Sequence, residues 1–245
     1  MSDRYIPGVP CWIELGAPEP DAAAAFYAAL FGWTVEHGVA RLDGRAVAGI
    51  ADGPPGWTTY VRVDDPSAAA ARVEAAGGRV DGARLTDPAG AELAIVAQGG
   101  AELVNAPGTW NWSNLESPDA DAAQAFYGAV FGWEAMPMGP GVAMFRVPGY
   151  GDRLAELDPA LRERHAEAGI PPGFSDAVAW LVPGEGAARW TVTFAVDDPD
   201  GIAARAQELG GTVRVPPYDE QGARIATLRD PHGAEFTVSH WAGQG

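Results

Sequence analysis

The chain repeats itself over a distance too long for a solenoid. Ala25-Phe26-Tyr27-Ala28-Ala29-Leu30-Phe31-Gly32-Trp33 returns as Ala125-Phe126-Tyr127-Gly128-Ala129-Val130-Phe131-Gly132-Trp133, 100 residues later. Val63-Asp64-Asp65-Pro66 returns as Val196-Asp197-Asp198-Pro199 at an offset of 133, and Asp87-Pro88-Ala89-Gly90-Ala91-Glu92 as Asp230-Pro231-His232-Gly233-Ala234-Glu235 at 143. Order is kept while the offset grows, so the second copy carries 33 extra residues between Trp133 and Val196 and ten more between the later motifs. Solenoid repeats have periods of roughly 20–50 residues. The pattern is therefore a tandem duplication of a whole domain. The seam lies near Gly99 to Pro107, giving domains 1–103 and 104–245.

Each copy reads as strand, helix and several strands, twice over. In the first, Cys11 to Leu15 forms a strand, and a helix opens at Pro20-Asp21, with Asp21 as its cap, and stops at Gly32. Short strands follow at Trp33–Val35, Val39–Leu42 and Ala46–Ile50. The half-copy then restarts with a strand at Thr58–Val63. A helix runs from Asp65-Pro66-Ser67 to Gly77-Gly78, and strands lie at Arg79-Val80, Arg84-Leu85 and Glu92–Val96. The second copy repeats this from Trp110 to Val238. Its main insertion falls near residues 145–176, with a capped, charged helix over Asp158–His165 and a loop over Gly169–Gly173. Such an excursion is either surface elaboration or a lid over a pocket.

Charge narrows the partners. Sixteen basic against thirty-three acidic residues give a net charge of −17, which disfavours nucleic acid and anionic membrane surfaces. All the basic residues are Arg, so lysine Schiff-base chemistry is excluded. Cys11 stands alone, which excludes an internal disulfide and a cysteine zinc cluster. The longest apolar run, Ala22 to Trp33, has twelve residues, fewer than the roughly 18–20 of a membrane span. The start of the chain lacks the apolar core of a signal peptide, and a cytoplasmic location is expected. No phosphate-binding glycine loop, serine-hydrolase elbow or H-E-x-x-H motif is present.

The motifs together carry a resemblance. The opening strand, the helix ending in Phe-Tyr-x-x-x-Phe-Gly-Trp, the mid-domain Val-Asp-Asp and the closing Asp-Pro-x-Gly-x-Glu strand resemble the vicinal oxygen chelate superfamily. That group includes glyoxalase I, extradiol dioxygenases and bleomycin-resistance proteins. The chain looks most like its two-domain actinobacterial members. The resemblance implies an α+β fold of four βαβββ modules, two per domain, each pair curling its sheet into a cup. It also implies a divalent metal held by His, Gln or Glu at three strand positions. Carried onto this sequence, those positions are Trp12, Thr58 and Ala94 in the first copy and Trp112, Thr191 and Thr237 in the second. None of these side chains is a competent ligand for Fe, Zn or Ni, so no metal and no other cofactor is expected.

Strand alternation suggests what lines the cups instead. Trp12 and Glu14, and Thr58, Tyr60 and Arg62, share a face in the first copy. Trp112 and Asn114, Thr191 and Thr193, and Thr237 do so in the second, with Trp180 as a further wall. Indole surface with a few hydroxyl, amide or carboxylate groups suits a flat, partly apolar organic ligand; the competing reading is that the Trp residues fill the cups as core. Trp33, Trp133, Trp57 and Trp190 read as packing residues, and the Asp pairs at strand-to-helix junctions as caps. Two functions follow: ligand capture or protection without metal, and a metal-free lyase, isomerase or cyclase of secondary metabolism with Glu14, Tyr60 or His240 as acid or base. A metal enzyme with unrelated ligands is a third. Because the duplication can satisfy domain pairing within one chain, a monomer is expected. The second cup, with neutral Asn114, three Thr, Trp180 and the insertion, is the expected working site. In the first, Glu14 and Arg62 are expected to neutralise one another.

Overall fold

A computed structural model of the chain describes residues 4–167, 169–171, 173–220 and 222–241. The first sheet is built from β1 (Pro10–Ala17), β2 (Thr34–Glu36), β3 (Val39–Leu42), β4 (Arg45–Asp52), β5 (Gly56–Arg62), β6 (Arg79–Asp81), β7 (Arg84–Thr86) and β8 (Glu92–Val96), with helices α1 (Pro20–Phe31) and α2 (Pro66–Ala75) between them. The second is built from β9 (Thr109–Ser117), β10 (Glu134–Gly139), β11 (Val142–Arg146), β12 (Ala177–Pro183), β13 (Arg189–Ala195), β14 (Thr212–Glu220), β15 (Ala223–Arg229) and β16 (Glu235–Trp241). Its helices are α3 (Ala120–Phe131), α4 (Tyr150–Leu157), α5 (Leu161–Glu167) and α6 (Pro199–Glu208). The strand orders are β2-β3-β4-β1-β5-β8-β7-β6 and β10-β11-β12-β9-β13-β16-β15-β14, the same order copied. Both sheets are mixed: β1 runs parallel to β4, β9 to β12, β5 to β8 and β13 to β16, and the outer pairs are antiparallel. This is the α+β architecture the motifs implied.

The helices start and stop where local chemistry dictates. Pro66 and Pro199 open α2 and α6, and the side chains of Asp65 and Asp198 accept backbone N–H groups of the first turn. Asp119 caps α3 in the same way through Ala122 N, 2.9 Å away. Asp21 does not cap α1. The cap position is Glu19, which makes no side-chain bond to the helix, and Asp21 lies in the first turn, where its charge suits the positive end of the helix. Gly32 and Gly132 end α1 and α3 at φ of 76° and 73°, backbone that glycine adopts without a side-chain clash.

Contacts sort the chain into two units, each made from half of each copy. One combines the N-terminal segment through Cys11 with residues 59–100 and 113–190; the other combines 12–58, 101–112 and 191 onward. In the second unit the odd face of β1 (Ile13, Leu15) packs with Tyr27 and Leu30 of α1, Phe194 of β13, Ala203 of α6 and Phe236 of β16. Tyr27 sits at the centre. Trp57 Nε1 donates to its hydroxyl at 3.2 Å, and that hydroxyl donates to Asp230 Oδ2 at 3.2 Å. The first unit repeats the chain: Trp190 Nε1 donates to Tyr127 at 2.8 Å, and Tyr127 donates to Asp87 Oδ2 at 3.0 Å. Trp33 and Trp133 stack on their tyrosines, 5.6 and 5.3 Å between ring centres, and donate to Gly108 O and Gly8 O. The recurring sequence motifs are thus the parts of one structural lock, made twice. Each tyrosine is answered by the aspartate of the other copy. Burial first, and the neighbouring Asp second, push both phenols well above the usual tyrosine range.

The extra residues are also placed. The hairpin of β14 and β15 spans 212–229 where that of β6 and β7 spans 79–86, which absorbs the later ten. The larger insertion lies between β11 and β12. It contains the expected charged helix, placed as α5 over Leu161–Glu167, and before it a second helix, α4, with Asp158 as its C-cap. Pro159 ends the path of α4, and Asp158 turns its carboxylate onto Ala160 N and Arg164 ahead of α5. Pro172 of the expected loop lies outside the described residues. The insertion is held at its base by Val147 N to Asp176 O and Gly151 N to Asp176 Oδ1, and buried Tyr150 interacts with Arg4 of the N-terminal segment.

Candidate functional site

The strand faces separate core from surface sharply. On β1, Cys11, Ile13 and Leu15 have no exposed area, while Trp12 and Glu14 between them are half-buried on the opposite face. On β9, Ser113 and Leu115 are buried, and Trp112 and Asn114 are half-buried. Trp180 alternates in the same way with buried Ala179 and Leu181 on β12. These three tryptophans stand apart from Trp33, Trp133 and Trp190, which are at most 9% exposed and locked into the cores. Trp57 is partly buried against Tyr27, in the same role.

Register shows which candidates are neighbours. Asn114 on β9 lies directly beside Trp180 on β12. The corresponding position beside Glu14 on β4 is Gly49. A Cβ there would come within 3.1 Å of Glu14 Cγ and Oε2 and within 3.2 Å of Trp12 Nε1, so the glycine gives room to both side chains. One copy thus presents an indole where the other presents a gap. Thr193 on β13 lies beside Thr237 on β16, and Thr237 lies beside Thr227 on β15. Thr191 is half-buried at the next position on the same face of β13, and Thr193 is buried. Thr227 was not legible in the sequence, because the ten added residues hide the pairing of β15 with β16. Its signal was its place in the alternation of buried Ala226 and Leu228 around it.

The other candidates are dispersed. Thr58 is buried, and Tyr60 lies half-buried beside Ala94. Arg62 pairs with Asp64 at 3.1 Å, a strand-end contact rather than the expected partner for Glu14. His240 does not join the expected site: alternation on β16 places it with Phe236 and Val238 on the helix-packed side, opposite Thr237, and its Nδ1 lies 3.1 Å from Val196 O. It is held by backbone, away from the threonine face. Cys11 is buried with its thiol pushed up to about 12 by desolvation, which removes it as a nucleophile at neutral pH.

The family's metal does not fit these residues. Its strand positions hold indole, hydroxyl and methyl groups in the first copy and one indole and two hydroxyls in the second. Among the described residues, no three His, Cys, Asp or Glu side chains gather where they could hold an ion. Among the described residues, no helix is long and apolar enough to cross a membrane.

Comparison with known proteins agrees with the topology. A model of the glyoxalase-like domain matches residues 112–239. The anthracycline biosynthesis protein DnrV of Streptomyces peucetius is 34% identical, covering 96% of this chain and 94% of its own. CFP32 of Mycobacterium tuberculosis, which carries a glyoxylase name, is 35% identical over 96% of this chain and 95% of its own. Among solved structures, the Mn(II)-bound glyoxalase of Novosphingobium aromaticivorans superposes with a TM-score of 0.59 at 17% identity, covering 95% of this chain and 82% of that one. The 2,3-dioxygenase LapB of Pseudomonas sp. KL28 gives 0.56 at 14% identity, covering 97% and 93%. With the copied sheet order and the duplicated motifs, these matches establish that the chain belongs to the glyoxalase-like family of the vicinal oxygen chelate superfamily.

Proposed function

We propose that this protein, organised as domains 1–103 and 104–245, binds a small, partly aromatic organic molecule without a metal, on the faces that carry Trp12, Trp112 and Trp180. The observation that carries the reading is the half-burial of these three indoles on faces turned away from the helix-packed cores. An indole that the fold leaves partly accessible is a stacking surface, and neighbouring amide and hydroxyl groups can orient a ligand without the cost of burying a charge. The kinship with a protein of anthracycline biosynthesis supports a flat aromatic ligand class. Among the two copies, the one carrying Asn114 beside Trp180 has the larger aromatic surface and is the preferred site. The role is capture or protection of the ligand, within one chain in the cytoplasm.

Titration with a hydroxyanthraquinone such as quinizarin, followed by tryptophan fluorescence, tests this. Binding should weaken roughly tenfold in Trp180→Ala and Trp112→Ala, and less in Trp12→Ala, as expected when a stacking contact is removed. Undiminished binding in all three would overturn the reading, and loss in Trp12→Ala alone would move the site to the first copy.

A second reading, a metal-free lyase, isomerase or cyclase, is favoured by one feature. Glu14 reaches the space over Gly49 with its carboxylate on the same face as the Trp12 indole, a placement that suits an acid or base beside a stacked substrate. Turnover abolished in Glu14→Gln would select it.

A further inference from the structure

The second unit contains a cleft of about 370 Å³ that has no part in the tryptophan faces. Leu30 and Phe31 at the end of α1, Gly108, Val196 and Ile202 line it, and Asp197 and Asp198 stand at its rim. Asp198 is engaged in capping α6, whereas exposed Asp197 has no ion-pair partner among the described residues. The carbonyl end of α1 and the exposed Asp197 carboxylate supply acceptors to this apolar cleft, and Asp198 answers the positive first turn of α6, which also lines it.

The duplication shows what such a place accepts. Every lining residue has a counterpart in the first unit, at an offset of 100 or 133: Leu30 answers to Val130, Gly108 to Gly8, Val196 to Val63 and Asp197 to Asp64. The surroundings match down to the hydrogen bonds, with Gly108 N to Ala195 O repeating Gly8 N to Arg62 O. In the first unit, Arg72 of α2 puts its guanidinium against this place, Nε donating to Val130 O at 2.8 Å. Its counterpart on α6, Arg205, does not. Arg205 turns to Glu208 one helical turn on, at 2.9 Å, where α2 has Ala75. With Arg205 paired to Glu208, the place that Arg72 fills in the first unit holds no guanidinium in the second.

We propose that this cleft binds an organic cation, a guanidinium or protonated amine on an apolar body, in the position that Arg72 fills in the first unit. The cation donates to the Leu30 carbonyl and faces Asp197, and the body lies against Phe31 and Ile202. The site is separate from the tryptophan faces and does not depend on their ligand.

The test uses benzamidine as the cation and benzamide as its neutral counterpart, with amide chemical shifts of the full chain as readout. Benzamidine should shift Leu30, Phe31, Gly108 and Ile202 with an affinity on the order of millimolar, and benzamide should not. Asp197→Asn should weaken binding roughly fivefold by removing the facing charge. Glu208→Ala should release Arg205 to compete for the cleft and weaken binding by at least as much. No shifts with benzamidine, equal shifts with benzamide, or unchanged affinity in Glu208→Ala would each overturn the proposal. Quinizarin binding remains unaltered by these substitutions, so failure here is distinguishable from failure of the tryptophan faces.

Discussion

The two units solve one packing problem with the same lock and different fillings. Both bury a Trp–Tyr–Asp chain, yet the second anchors its aspartate with three amide donors, His232, Gly233 and Ala234, and the first with two, Ala89 and Ala91. The first unit buries a hydroxyl pair, Thr59 and Ser113 at 2.6 Å, where the second has Val192 and Ile13 in its apolar core. The second surrounds its tyrosine with Phe194-linked rings and Phe236, whereas the first draws on Phe145 of β11. The two units share the Trp–Tyr–Asp chain and the Phe and Trp rings packed directly on each tyrosine. The outer apolar contacts differ, because volume can be supplied from a different strand, whereas the phenol needs its acceptor at one place.

The largest expected effect follows from that difference. Asp230→Ala strands three backbone N–H groups and the Tyr27 hydroxyl, so it should cost about 3 kcal/mol or more, and Asp87→Ala less, with two N–H groups stranded. Urea denaturation of the two variants checks the order. Equal losses would mean that the added amide bond contributes nothing.

A second test converts one unit toward the other. Thr59→Val alone leaves the Ser113 hydroxyl buried without its partner and should cost about 1–2 kcal/mol. Adding Ser113→Ala should recover a large part of that loss, giving a coupling energy of about 1 kcal/mol in a double-mutant cycle. Additive losses would show that the two hydroxyls do not depend on each other.

Alkaline pH probes what the units share. The folded-state pKa values of Tyr27 and Tyr127 lie above the unfolded value near 10, so the folded chain holds these protons longer. Their contribution to stability is fully present below about pH 10 and is lost as pH rises beyond it. The denaturation midpoint should therefore fall above about pH 10, and Tyr27→Phe or Tyr127→Phe should each flatten the fall. A midpoint independent of pH there would contradict the burial of the phenols. The smallest effect concerns Cys11, which should resist iodoacetamide at about pH 8 until the chain unfolds, since its thiol is both buried and pushed up to about 12.

Much of this was legible in the sequence. The motif offsets revealed the duplication, and the alternation of Trp12-Ile13-Glu14 and Trp112-Ser113-Asn114 fixed which side chains leave the core. What the sequence hid is which half-copy answers which. Phe-Tyr and Asp-Pro-x-Gly are separated by 203 residues in one lock and 40 in the other, and no local rule pairs Tyr27 with Asp230. Register was equally hidden. That Gly49 and Trp180 are counterparts beside Glu14 and Asn114 depends on hydrogen-bond pairing across β4 and β12, which composition does not encode. The face of His240 was hidden as well, because it depends on β16 running on through Trp241 in unbroken alternation.

The most direct test of metal-free ligand binding on the tryptophan faces is calorimetry with quinizarin on wild-type protein and Trp180→Ala, before and after exhaustive dialysis against EDTA. The expected result is one affinity for the wild type in both preparations and a roughly tenfold weaker one in the variant. Binding that disappears on chelation and returns with a divalent metal would contradict it.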